Sequence, residues 1–224
     1  MNDSAILYLL QIASPSLPVG AYSYSEGLET LVEKRIIANK NQLKCWLEQE
    51  LKYGAIRLEA ALMLRSYQSF KNDNLRELTN WNHWVSAAKE TKELRQQSWQ
   101  MGQSLLKLLG DCDEELQKVG NVFENNCNKA IAFGIGAAHW QIETKATVIG
   151  YLSSWATNLI NAGVKLIPLG QTTGQQILLS LHPLIMQQTA EILLIKNEDL
   201  NSCGWGLAIA SMGHENQYTR LFRS

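Results

Sequence analysis

The sequence predicts an all-α protein, a single-domain bundle of about eight to ten helices over residues 1–224. Three observations carry this expectation. Leu43, Leu47, Leu51, Ala55, Leu58 and Leu62 recur at steps of three and four, which aligns them on one face of a helix that must be buried. Residues whose side chains can accept a hydrogen bond from an orphan backbone N–H precede the periodic runs, at Asn39 or Asn41, Asp73, Asp113 and Thr172. Strand-like sequence is confined to 165–169 and 192–195, both short and both beside helical sequence.

Taken in order, the first long helix runs from its asparagine cap to about Phe70, with Gly54 inside it. A glycine there costs about 1 kcal/mol against alanine and marks a kink or a close contact. A second helical stretch follows Asp73 and carries Leu75, Leu78, Trp81, Trp84 and Val85, then Leu94, Trp99 and Leu105 to Leu109 before Gly110. Asp113 caps the next. Residues 144–162 form another amphipathic helix, and Thr172 opens one expected to end at His182, because Pro183 disfavours a helical conformation in its predecessor and can start a helix of its own. No fixed-period repeat, low-complexity segment or compositional break divides the chain.

Composition narrows the function. The chain has 224 residues, 46% of them hydrophobic, enough for a sizeable core. Twenty Lys and Arg face 21 Asp and Glu, a net charge of -1 with no basic block, which argues against nucleic acid as a partner. The apolar stretch 5–10 follows Asn2 and Asp3 instead of basic residues and stops at Gln11, unlike a secretory signal. No run approaches the roughly 20 apolar residues of a membrane span. Cys45, Cys112, Cys127 and Cys203 are far apart, as expected of reduced thiols, and a cytoplasmic location follows.

Local motifs point to no catalytic centre. His214-Glu215 begins like the metalloprotease H-E-x-x-H pattern, but Tyr218 stands where the second histidine belongs, so a structural or interface hydrogen bond is the better role for His214. His83, His139 and His182 lack partners at ligand spacing. The glycine pairs Gly134/Gly136 and Gly204/Gly206 lack the lysine-containing context of a phosphate loop and read as close-packing glycines. Ser14 and Ser16, between Pro15 and Pro18, have no adjacent base. The seven tryptophans suit a core or interface, since the positive charge of a base-stacking platform is absent. No metal site, cofactor or catalytic residue is assigned.

Three segments carry a family resemblance. The first is Leu9-Leu10-Gln11-Ile12-Ala13-Ser14-Pro15-Ser16-Leu17-Pro18-Val19-Gly20-Ala21-Tyr22-Ser23-Tyr24-Ser25-Glu26-Gly27-Leu28-Glu29. It reads as a helix end, a proline-stiffened turn exposing Tyr22 and Tyr24, and a new helix with Ser23 and Glu26 at capping-box spacing. The second is Val164-Lys165-Leu166-Ile167-Pro168-Leu169-Gly170-Gln171-Thr172-Thr173-Gly174-Gln175-Gln176-Ile177-Leu178, with a turn whose Lys165, Gln171 and Gln175 exceed what a turn requires. The third is the ending His214-Glu215-Asn216-Gln217-Tyr218-Thr219-Arg220-Leu221-Phe222-Arg223-Ser224, rich in the aromatic and arginine side chains that dominate interfaces. In this order they resemble the signatures of the UreF family of urease accessory proteins. The stretch 39–129 contributes only helical pattern.

The resemblance implies an all-helical homodimer without enzymatic activity. It further implies a scaffold binding a UreD/UreH-type accessory protein and the GTPase UreG, and docking on apo-urease for GTP-dependent nickel insertion. It places the partner-binding residues at Tyr22, Tyr24, Lys165, Gln171, Gln175, Tyr218, Arg220, Leu221, Phe222 and Arg223. Residues 214–224 are expected to be a tail that becomes ordered on the UreD/UreH-type partner; the competing expectation is that the tail packs permanently on its own helices. The rival from another class is a small hydrolase or metal enzyme built on His214 and Glu215.

Overall fold

The structure, a computed structural model, describes residues 2–224 and contains eleven α-helices, three single 3-10 turns and, among the described residues, no strand. In chain order the helices are α1 (Asp3–Ile12), α2 (Leu28–Glu33), α3 (Lys40–Tyr53), α4 (Ala55–Lys71), α5 (Leu75–Ala88), α6 (Lys92–Cys112), α7 (Glu114–Gly120), α8 (Lys129–His139), α9 (Thr144–Leu166), α10 (Gln171–Ile192) and α11 (Trp205–Glu215). The strand candidates are the end of α9 with the turn beyond it, and the last residue of α10 with the turn beyond it.

Capping side chains set several boundaries. Asn39 accepts from the N–H groups of Asn41 and Gln42, Thr91 from Leu94, and Asp113 from Glu115. The cap of α5 is Asn74, which accepts from Glu77, and Asp73 instead closes α4 in a left-handed conformation with φ 53°. The apolar face from Leu43 to Leu62 belongs to two helices, because the backbone at Gly54 is extended. A Cβ there would lie 2.8 Å from the Glu50 carbonyl oxygen and closer still to its carboxylate, so a side chain would force the backbone and Glu50 to shift.

Pro183 does not end a helix. It lies inside α10, exposed, while Ile177, Leu181, Ile185 and Ile192 stay buried along the same helix. One interior proline costs about 3 kcal/mol, and a continuous buried face on either side of it offsets that cost. Nor does Thr172 cap α10: the N-cap is Gly170, without a side-chain bond.

At the centre is α8, buried at every residue from Ala130 to Ala138 and packed between α4 and α6. Gly134 permits this, since a Cβ there would stand 2.5 Å from the Met63 carbonyl oxygen. The two longest helices, α9 and α10, pair and close one side, and α11 lies across α2 and α6. Among the described residues no helix is long and apolar enough to cross a membrane, and all four cysteines are free, with only Cys127 buried.

Candidate partner interface

The three motifs, scattered in sequence, meet at one place. After α11 the chain turns back along residues 23–29 and lies against them with its final four residues. Arg223 N–H donates to the Ser23 carbonyl at 2.9 Å, and the Ser224 carbonyl accepts from Ser25 N–H at 2.6 Å and Ser25 Oγ at 2.8 Å. Ser224 Oγ also bonds Gln97. Phe222, 5% exposed, is covered by the Lys165 ammonium 5.7 Å from its ring centroid, so the second motif touches the third through a cation–π contact.

Glu29 of α2 fixes the tail backbone. Its two oxygens accept from Leu221 N–H at 2.6 Å and Phe222 N–H at 2.9 Å. Glu93 of α6 holds the arginine: Arg220 Nη1 lies 2.8 Å from its Oε1, while Nε and Nη2 donate to the carbonyls of Gln217 and Glu215. Between these carboxylates lies His214, fully buried, with Nδ1 2.9 Å from Glu93 and Nε2 3.4 Å from Glu29. The approach of α11 to α2 depends on Gly27: at φ 76° it suits glycine, and a Cβ would lie 2.9 Å from Ala210 Cβ and Ser211 N.

In this structure the end of the tail is anchored, because the Glu29 carboxylate accepts from two of its backbone N–H groups and Phe222 fills an apolar site on its own fold. Of the site residues expected from sequence, Tyr22 (71% exposed), Tyr218 (103%) and Leu221 (66%) present their side chains to solvent. Lys165, Gln171, Gln175, Arg220 and Arg223 are also exposed. Tyr24 is not: it is buried, donates its hydroxyl to Gln100 at 2.6 Å, and its hydroxyl pKa is raised by burial against an opposing effect of Arg223. On α11, Trp205, Ile209 and Met212 form a solvent-facing stripe of their own.

The capping box of Ser23 and Glu26 does not form either. Glu26 has φ 52° and turns inward, accepting from Gln97 Nε2 at 3.1 Å and Trp155 Nε1 at 2.9 Å. Burial raises its pKa, as does nearby Glu59. Beside it Glu59 bonds Lys89 and accepts from the Tyr151 hydroxyl at 3.0 Å, and Lys129 lies 5.4 Å from the Tyr151 ring centroid. Burial lowers the Lys129 pKa. Lys89 shows the opposite balance, burial pulling its pKa down and Glu59 and Glu26 lifting it further up. These groups surround a cavity of about 20 Å³, room for about one water molecule. Sequence spacing gave no signal for this cluster, or for the pairing of Glu29 and Glu93 around His214, because the partners come from different helices and the loops beside them. The same holds at His139, whose Nε2 lies 3.0 Å from Asp113, the cap of α7.

A UreF family model matches residues 37–182, about two thirds of the chain and including the stretch 39–129 that showed only helical pattern. The chain belongs to the UreF family. Full-length similarity extends this to the first and third motifs. The chain is 59% identical to a urease accessory protein UreF of Nostoc sp. over 224 residues, covering 100% of this chain and 98% of the relative. It is 52% identical to that of Synechocystis sp. over 238 residues and 38% identical to that of Alcanivorax borkumensis over 229 residues, each comparison covering 100% of both chains. As a UreF-family protein the chain thus has its terminal motifs folded into one surface.

Proposed function

We propose that this chain acts in urease maturation as a non-enzymatic, cytoplasmic and homodimeric scaffold. It joins a UreD/UreH-type accessory protein to a UreG-type GTPase and presents both to apo-urease for GTP-dependent nickel insertion. The observation that carries this reading is the surface made by the docked tail. Tyr218, Leu221 and Tyr22 are large and exposed, and the stretches of chain beside them are tied together by the bonds of Leu221, Phe222 and Arg223 N–H, so a partner gains contact area on an anchored segment. The UreD/UreH-type protein is assigned to this surface, with Arg220 and Arg223 at its edge and Tyr24 and Phe222 supporting it from below.

Gln171 and Gln175 lie exposed on the first two turns of α10, with Lys165 at the end of α9. We assign this face to the GTPase. Scaffolding of this kind couples nucleotide state to cargo release only through differential affinity for the GTPase's states. A hydrolytic or metal centre on His214 and Glu215 is disfavoured, because the imidazole is buried with both nitrogens against carboxylates and Glu215 faces solvent.

Co-expression with the UreD/UreH-type protein tests the assignment. The full chain is expected to pull it down, and a chain ending at residue 215 is not. Retention of the partner by the truncated chain would remove the tail from the interface.

A further inference from the structure

The contacts around His214 carry more than tail anchorage. A carboxylate oxygen only accepts hydrogen bonds, so an imidazole whose two nitrogens both face carboxylates makes two hydrogen bonds only when both nitrogens carry protons. Nδ1 is 2.9 Å from Glu93 and Nε2 is 3.4 Å from Glu29, in a site with no exposure of the ring. The same two carboxylates hold the tail, Glu29 through the amides of Leu221 and Phe222 and Glu93 through Arg220.

The charged groups here are few. Glu29 comes from α2, Glu93 from α6 and Arg220 from the tail; Lys34, just beyond α2, has its ammonium 3.2 Å from where a Gly213 Cβ would stand, and Glu215 follows His214 on the exposed side. Uncharged contacts seal the remainder, with Thr91 Oγ1 2.7 Å from Ser211 Oγ and Thr30 Oγ1 donating to Gln217 at 3.1 Å. Each carboxylate faces one ring nitrogen directly, so an imidazolium supplies a charge-assisted donor to both at once, which the more distant Lys34 ammonium does not.

We propose that His214, as an imidazolium bridging Glu29 and Glu93, is the positioning residue that presents the tail to its partner, making presentation dependent on that proton. The inference rests on the tail being the partner surface and adds its regulation. His214 touches no partner itself. Loss of the proton leaves one ring nitrogen with a lone pair directed at a carboxylate, so Glu29 and Glu93 are no longer drawn together and the tail amides lose a fixed acceptor. The docked tail, with Tyr218 and Leu221 outward, is favoured on the acid side of the imidazole transition and weakened as pH rises through it.

The test uses the full chain. Amide protection factors of residues 216–224 are measured across about pH 5 to about pH 8, where imidazole changes charge, in the wild type, His214→Gln and Glu29→Gln. Wild-type protection is expected to fall about tenfold or more with rising pH. In His214→Gln it should be low and flat, with α4 and α8 protected as in the wild type. Glu29→Gln should lower protection of Leu221 and Phe222 specifically. Nitrogen chemical shifts of the wild-type imidazole give a reading that needs no variant, and at about pH 6 both nitrogens should be protonated. A neutral tautomer there, pH-independent wild-type protection, or an unchanged pH profile in His214→Gln would overturn the proposal. Pull-down of the UreD/UreH-type protein by the chain ending at residue 215 would defeat the partner assignment instead, leaving the exchange result standing.

Discussion

Replacing Phe222 by alanine separates a tail that docks as its own unit from a tail that is part of the global core. The ring is 5% exposed and carries the Lys165 contact. Burying a phenylalanine side chain stabilises by about 1.5–3 kcal/mol, and truncation in a rigid core costs about 3–5 kcal/mol once the cavity is included. The site lies at the margin of the fold, with exposed Leu221 and Arg223 on either side, so partial collapse is available and about 2–3 kcal/mol is expected. The amide bonds to Glu29 survive the substitution, so undocking becomes easier without being complete. At 1.4 kcal/mol per factor of ten, tail exchange should accelerate by about thirtyfold to a hundredfold. Hydrogen exchange with mass spectrometry reads this directly: acceleration confined to residues 216–224, with thermal unfolding of the bundle nearly unchanged. Equal acceleration in α4, α8 and the tail, or none anywhere, would refute the argument.

Four further outcomes follow from particular contacts. Glu50 is buried near Glu26 and Glu90, and burial first, then those two carboxylates, raises its pKa to about 7. A carboxyl whose pKa is higher folded than unfolded favours the fold below its unfolded value of about 4.3, and that contribution is lost as pH rises towards 7. Glu50→Gln should therefore raise the melting temperature at about pH 8, by up to about 3 kcal/mol in stability, and change little at about pH 4; equal effects at both would contradict the burial argument. Gly27→Ala should destabilise by about 1–3 kcal/mol through left-handed strain and collision with Ala210 and Ser211, detectable in urea unfolding. Alanine at Lys165, Gln171 or Gln175 should weaken GTPase engagement without altering the circular dichroism spectrum, and full engagement by all three variants would make the face structural only. Sedimentation should give a dimer at micromolar concentration, and monomer throughout would count against a homodimeric scaffold.

Helix positions were legible where period and cap coincide, as at Asn39 and Asp113. They were misread where long-range packing outweighs a local signal. Pro183 was expected to end a helix, yet the buried face shared by both halves of α10 carries the helix through it. Ser23 and Glu26 have capping-box spacing, but the Glu26 carboxylate is claimed by Trp155 and Gln97, 129 and 71 residues away. Tyr24 was expected on the surface, and its hydroxyl is bound by Gln100 of α6.

By itself the sequence determined the all-helical class, through apolar periodicity, and the three motifs that carry the family, because those properties reside in short contiguous stretches. The tertiary structure alone decided that the motifs form one surface, that the tail docks on residues 23–29, and that His214 lies between Glu29 and Glu93, 185 and 121 residues distant. The physical reason is that a hydrogen bond or ion pair is set by separation in space. Spacing along a helix predicts neighbours only three or four residues apart, whereas the partners of a buried charge come from whichever helices the core brings together.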